Sequence, residues 1–182
     1  YGDHRDLHSF PTRRSSDLKV AVIEFFDYQC VFCSRFAPEL EKVMKAQPDV
    51  RYLFKEWPIF GGRWEASLQA AQQGLTVWQK KGPQAYVTYH NAIYATGHNE
   101  GKLTVEDIRV AASKAGLATS APGDHTASLE KNSNLSEALG LTGTPGIIVM
   151  PVSGATPDTI TVFPEAVTAD RLQVAIRKAT AR

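Results

Sequence analysis

The stretch that most constrains this chain is Val20-Ala21-Val22-Ile23-Glu24-Phe25-Phe26-Asp27-Tyr28-Gln29-Cys30-Val31-Phe32-Cys33. A run of β-branched and aromatic residues ends in Asp-Tyr-Gln, and the cysteine pair then opens a segment with helical spacing. Strand, short turn and helix N-terminus are therefore predicted in that order. A helix start presents unpaired N–H groups and the positive end of the helix dipole, and both favour a thiolate over a thiol. That makes Cys30 the reactive sulfur. Cys33, about one turn later, can close a small-ring disulfide with it, so the pair reads as a redox switch. Two cysteines three apart are also half of a zinc site, but the chain has only 2 cysteines and no Cys/His cluster to complete a tetrahedral shell. Inert core thiols are the other reading, though these have no reason to sit at a strand-to-helix turn.

A length of 182 residues, 43% of them apolar, suits one globular domain with a sizeable core and room for an insertion. A net charge of +1 gives no electrostatic case for nucleic acid or a membrane surface. No run approaches the length of a transmembrane helix. The expectation is a soluble chain with no nucleic-acid partner and no stable membrane insertion.

Residues 1–18 differ from the rest. They lack periodicity, and back-translation with allowed codons reproduces a widely used short-read sequencing adapter through every codon. They are expected to be a non-native leader, with a natural disordered tail as the alternative, and they are set aside for fold reasoning. On this reading the native sequence upstream of Lys19 is lost, and with it any secretory signal or first strand it held.

After Cys33, the residues Phe36, Leu40, Val43 and Met44 fall at helical spacing, with Pro38 inside the pattern and a kink expected there. The alternating stretch from Val50 to Trp57, ended by Pro58, predicts a strand. Strand, helix and strand at this spacing make a βαβ unit with parallel strands. Between Arg63 and Gly140 the pattern is helical, in four or five short pieces. One stripe holds Tyr86, Tyr89 and Tyr94, more in keeping with core than with a cofactor site, and another holds Leu129, Leu135, Leu139 and Leu141. Thr104 with Glu106 and Asp107 predicts a capped helix start. Strands return at Gly146–Met150 and Thr159–Phe163 as an antiparallel hairpin, followed by a helix from Thr168. The fold class is α/β, with a helical insertion (63–140) between βαβ and ββα halves (19–62 and 141–182).

Three segments carry a family resemblance: Glu24 through Cys33, Phe54-Lys55-Glu56-Trp57-Pro58-Ile59, and Leu141-Thr142-Gly143-Thr144-Pro145-Gly146. Together they resemble the DsbA family of thiol:disulfide oxidoreductases, a thioredoxin-like fold with a helical insertion. The resemblance implies a cis bond before Pro145, against an ordinary trans Thr-Pro turn. A cis bond there would hold Thr144 extended beside the cysteines, offering backbone hydrogen bonds to an extended client segment. It implies that Glu24, an acid in an apolar strand, moves protons to or from Cys33, the alternative being a solvated Glu on an edge strand. It implies no cofactor beyond the Cys30–Cys33 disulfide, no metal, reduced or disulfide-bonded client proteins as partners, a membrane or soluble redox partner, and a periplasmic or otherwise exported location in a bacterium.

In thiol exchange a thiolate attacks a disulfide sulfur and a mixed disulfide forms. Cys30 is expected to be the exposed partner. Val31 and Phe32, between the cysteines and facing the client, stand where strongly oxidising relatives carry Pro-His. Neither offers charge or a donor to the thiolate, which leaves the helix end and backbone N–H groups. A reductase or isomerase is thus the alternative direction. A copper-binding metal-tolerance protein is the alternative of another class, since paired thiolates suit Cu(I).

Overall fold

The computed structural model describes residues 18–117 and 121–180. The elements run β1 (Val20–Phe26), α1 (Val31–Ala46), β2 (Arg51–Glu56), α2 (Glu65–Lys81), α3 (Pro83–Ala95), α4 (Val105–Lys114), α5 (Thr126–Ala138), β3 (Gly146–Pro151), β4 (Thr161–Phe163) and α6 (Ala169–Thr180). The leader reading concerns residues outside the described ones, apart from Leu18, which is buried.

The sheet order is β2-β1-β3-β4, with β1 parallel to β2 and antiparallel to β3, and β4 antiparallel to β3. β1 is central, and its near-continuous apolar sequence follows from burial on both faces. Period-two alternation then sorts its residues. Val22 and Phe26 face the large core with Phe36 and Leu40 of α1 and Tyr86 and Tyr89 of α3, while Phe25 faces a smaller cluster with Trp57, Leu141 and Ile148. A thioredoxin-like α/β frame with helices α2–α5 between its two halves is the observed architecture.

Local chemistry explains most of the boundaries. Gly82 ends α2 at φ 83°, a region glycine enters freely, and Pro83 opens α3 at a position where a missing N–H costs nothing. Thr104 caps α4 in a reciprocal box with Asp107. α1 remains helical through Pro38. Among the described residues no helix is long and apolar enough to cross a membrane.

Two expectations are corrected. The strand expected from Thr159 begins at Thr161, because Thr156 and Thr159 close a turn that uses the Ile160 N–H on the Thr156 carbonyl, 3.1 Å away. Leu135 and Leu139 are exposed at 40% and 46% rather than buried. The inward face of α5 is set by Leu129 and Ser136, seven residues apart, and the two leucines lie about a quarter turn off it.

Candidate active site

Cys30 is the N-cap of α1, in extended conformation with no side chain capping the helix, and Cys33 sits in the first turn. Both are free thiols. The expected exposed sulfur is a correction: Cys30 is only 4% exposed and Cys33 0%. The cover on Cys30 is the loop before β3, whose Thr144 carbonyl accepts the Cys30 S–H at 3.2 Å. The Thr144–Pro145 peptide is cis. Thr144 is half-buried, Pro145 buried, Val31 half-buried, and Phe32 is 54% exposed with the Arg35 guanidinium 5.7 Å from its ring centre.

The two sulfurs differ sharply in acidity. Cys30 is lowered from 9.0 to about 6, chiefly by a hydrogen bond from the Cys33 thiol. Burial opposes this, and Thr144 and the backbone N–H groups of Cys33 and Phe32 assist. The Thr144 hydroxyl has no partner to the neutral thiol and lies near enough to favour the thiolate. Support from the helix end is thus real but comes behind the second cysteine. Cys33 is pushed well above the usual thiol range, first by burial and then by the interaction with Cys30. The dithiol form is therefore a Cys30 thiolate beside a Cys33 thiol at neutral pH.

Glu24 lies in β1 at 1% exposure, and neither carboxyl oxygen has a partner. Burial, then the charge on Cys30, raises it to about 8, so it is a protonated acid near neutral pH. It sits on a central strand, which removes the solvated edge alternative.

Three further residues complete the site without having been singled out by the sequence. Asp27, at the start of the turn, joins separate elements. Its carboxylate accepts from Gln29 N (2.8 Å), Phe60 N (2.9 Å) and Ser67 Oγ (2.7 Å), and its carbonyl accepts from Cys30 N (3.0 Å) and the Tyr94 hydroxyl (3.1 Å). Gln29, fully buried, accepts Gly101 N on its side-chain oxygen at 2.8 Å and Glu100 N on its carbonyl at 2.9 Å, so the α3–α4 loop is fastened to the residue before Cys30. Glu56, at 1% exposure, accepts the hydroxyls of Tyr28 and Tyr86. The signal for Glu56 was the one that marked Glu24, an acid in an alternating apolar strand. Asp27 and Gln29 lack such a signal, because their partners lie far along the chain. No group of three or more His, Cys, Asp or Glu among the described residues could hold a metal ion.

The geometry has counterparts in solved structures. BcfH of Salmonella enterica Typhimurium is 36% identical with a TM-score of 0.80, over 98% of this chain and 75% of that one. The catalytic domain of Proteus mirabilis ScsC is 28% identical with a TM-score of 0.77, over 98% and 93%. A periplasmic thioredoxin-like protein of Salmonella enterica serovar Typhimurium is 27% identical with a TM-score of 0.75, over 98% and 94%. No curated protein matches the chain. The thioredoxin family model matches residues 15–169, a span that holds the cysteine pair, the helical insertion and the loop before β3. With a buried, asymmetric Cys30–Cys33 pair on that frame, the chain belongs to the thioredoxin family as a DsbA-like thiol–disulfide oxidoreductase.

Proposed function

We propose that the chain donates its Cys30–Cys33 disulfide to reduced client proteins in the bacterial periplasm, and that a membrane or soluble redox partner restores the disulfide. The observation that carries the donor direction is the acidity of Cys30, lowered to about 6 without any cationic side chain at Val31 or Phe32. Stabilising the thiolate stabilises the reduced form, and a stabilised reduced form makes an oxidising disulfide. The location is supported by likeness to the periplasmic Salmonella protein.

Exchange then runs as follows. A client thiolate attacks Cys30 Sγ, the Cys30–Cys33 bond breaks, and Cys33 leaves as a thiolate. Sealed from water, Cys33 needs an internal proton, and the role assigned to Glu24, a protonated acid whose charge, when ionised, acts on Cys33, is to supply it. A second client thiolate attacks the client sulfur of the mixed disulfide and releases Cys30 as a thiolate. Two client thiols have lost two electrons and the pair has gained them. In the reverse direction Cys33 resolves the mixed disulfide. Thr144 borders Cys30 through its carbonyl, which the Cys30 S–H occupies only while that sulfur is protonated. Once Cys30 is in a disulfide that carbonyl is open to a client N–H, in the manner of an added strand, with Pro145 holding the loop. Phe32, with Val31 beside it, offers the apolar contact on the other side of the sulfur.

Equilibration with glutathione tests the direction. The expected reduction potential lies between about −120 and −200 mV, and a value below about −230 mV assigns the reductase direction instead.

A further inference from the structure

Glu56 is the second acid in an apolar wall. It ends β2 opposite Phe26, while Glu24 lies opposite Phe54, so both acids occupy the same sheet face as diagonal neighbours on adjacent strands. The two carboxyls make no hydrogen bond to each other, but they are near enough for charge on Glu24 to act on Glu56. The surroundings accommodate a carboxyl: Oε1 accepts the Tyr28 hydroxyl at 3.1 Å and the Tyr86 hydroxyl at 2.7 Å. A Cβ on Gly74 would come within 2.8 Å of that oxygen, so glycine leaves it room. Oε2 has no partner, and neither has either oxygen of Glu24. The charges that act on the two acids are negative, from Cys30 on Glu24 and from Asp27 and Glu24 on Glu56. A buried carboxylate without a counter-ion costs several kcal/mol. The pocket therefore tolerates one negative charge and not two. An apolar residue at position 56 would avoid that cost altogether.

We infer that Glu24 and Glu56 act in thiol exchange as one carboxyl pair that shares a single negative charge, so that the proton Cys33 gains on reduction is drawn from the pair. The inference rests on exchange at Cys30–Cys33, in either direction. When the Cys30–Cys33 bond breaks, Cys33 leaves with the electron pair and takes the Glu24 proton. Both acids are protonated while the disulfide is intact, so one proton remains after the transfer; it resides on either acid, and the Tyr28 and Tyr86 hydroxyls stabilise charge on the Glu56 side. Reoxidation of the dithiol returns the proton. No hydrogen bond joins Glu56 to either sulfur, so it acts through Glu24 as a positioning residue for that proton.

Of the other titratable groups around the pair, Cys30, at about 6, changes charge at the lower edge of the neutral range, whereas the tyrosines and His90 keep theirs. Tyr28 from the turn and Tyr86, Tyr89 and Tyr94 from α3 are all held well above the usual range by burial. His90 of α3 is pushed down to about 4 by burial and is neutral. Asp27 is raised by burial against the pull of its three hydrogen bonds. From α1 the pair is faced by Cys33, which keeps its proton. From α2 it is faced by Gly74, and from α5 the Asn132 amide donates to the Glu56 backbone carbonyl at 2.9 Å.

Glu56→Gln keeps an oxygen for both tyrosines and removes the titrating proton. The measurement is the reduction potential against glutathione from about pH 6 to 9 for wild type, Glu24→Gln, Glu56→Gln and the double variant. A shared charge raises the Glu24 midpoint, about 8 in the wild type, by about one pH unit in Glu56→Gln, because the charge then rests on Glu24 alone. Glu24→Gln keeps a midpoint that the double variant lacks. Superimposable wild-type and Glu56→Gln profiles overturn the inference. If Glu56→Gln does not fold, the oxidised-minus-reduced infrared difference spectrum of the wild type decides. Two carboxylic-acid bands changing together support the pair, and one band alone overturns it. These readouts count protons, so a low absolute potential sinks the donor direction without touching this result.

Discussion

At the scale of single residues the two cysteines divide the labour by environment. Cys30 has the Cys33 thiol, Thr144 and two backbone N–H groups to hold its charge, whereas Cys33 has burial against it. Cys33→Ser should accumulate mixed disulfides with clients, and Cys30→Ser should not; equal trapping by both would reverse the assignment. Glu24 carries a pH signature. Its folded pKa, about 8, lies above the ordinary 4.5, so the folded chain holds this proton where the unfolded chain releases it. That contribution to stability is complete below pH 4.5, declines as pH rises, and is gone above about pH 8. Each pH unit in the window is worth about 1.4 kcal/mol. Glu24→Gln should therefore flatten the stability–pH curve between those limits, as read by urea unfolding at several pH values. Parallel curves for variant and wild type would mean Glu24 titrates as an ordinary hydrated carboxyl.

At the scale of elements, the insertion is fastened to the active-site turn at named points. Glu100 adopts a left-handed φ of 52°, uncommon for a residue with a side chain, and Gly101 follows at 92°. A Cβ on Gly101 would meet Trp64 Nε1 at 2.7 Å. This tight bend presents two successive N–H groups, Glu100 to the Gln29 carbonyl and Gly101 to the Gln29 side chain. Gln29→Ala removes the second bond and leaves the exposed Gly101 N to water, at a cost of about 0.5–1.5 kcal/mol. Faster amide exchange at Gly101, with α1 still protected, is the expected result. Unchanged protection at Gly101 would show that the side chain does not hold the loop.

For the molecule as a whole, disulfide chemistry and folding are linked. A cross-link ordinarily stabilises a fold by restricting the unfolded chain. A protein that holds one thiolate by hydrogen bonds in its reduced form reverses that order. The dithiol form should unfold at higher urea than the disulfide form, with about 1.4 kcal/mol of difference for every 30 mV by which this pair is more oxidising than an unfolded one. A more stable disulfide form would contradict the donor direction and agree with a reductase.

Strand β1, the turn and the cysteine-led helix were legible in the sequence, as were the parallel β1–β2 pair and the capped start of α4. Alternation, helical spacing and capping are properties of neighbouring residues, so a short window contains the information. The cis bond at Pro145 was implied by a family resemblance rather than by the residues around it. Burial of Cys30 depends on Thr144, 114 positions away, and the acid site at Glu56 depends on Tyr28 and Tyr86, 28 and 30 positions away. The outward turn of Leu135 and Leu139 depends on which face of α5 meets α2, where Leu129 packs with Ala71 and Leu75. Local sequence determined which elements form, because backbone preference and periodicity act over one or two turns. Only the tertiary structure decided that both sulfurs are covered and which acids lie in one buried wall, because burial and pKa are set by groups that the fold brings together from distant parts of the chain.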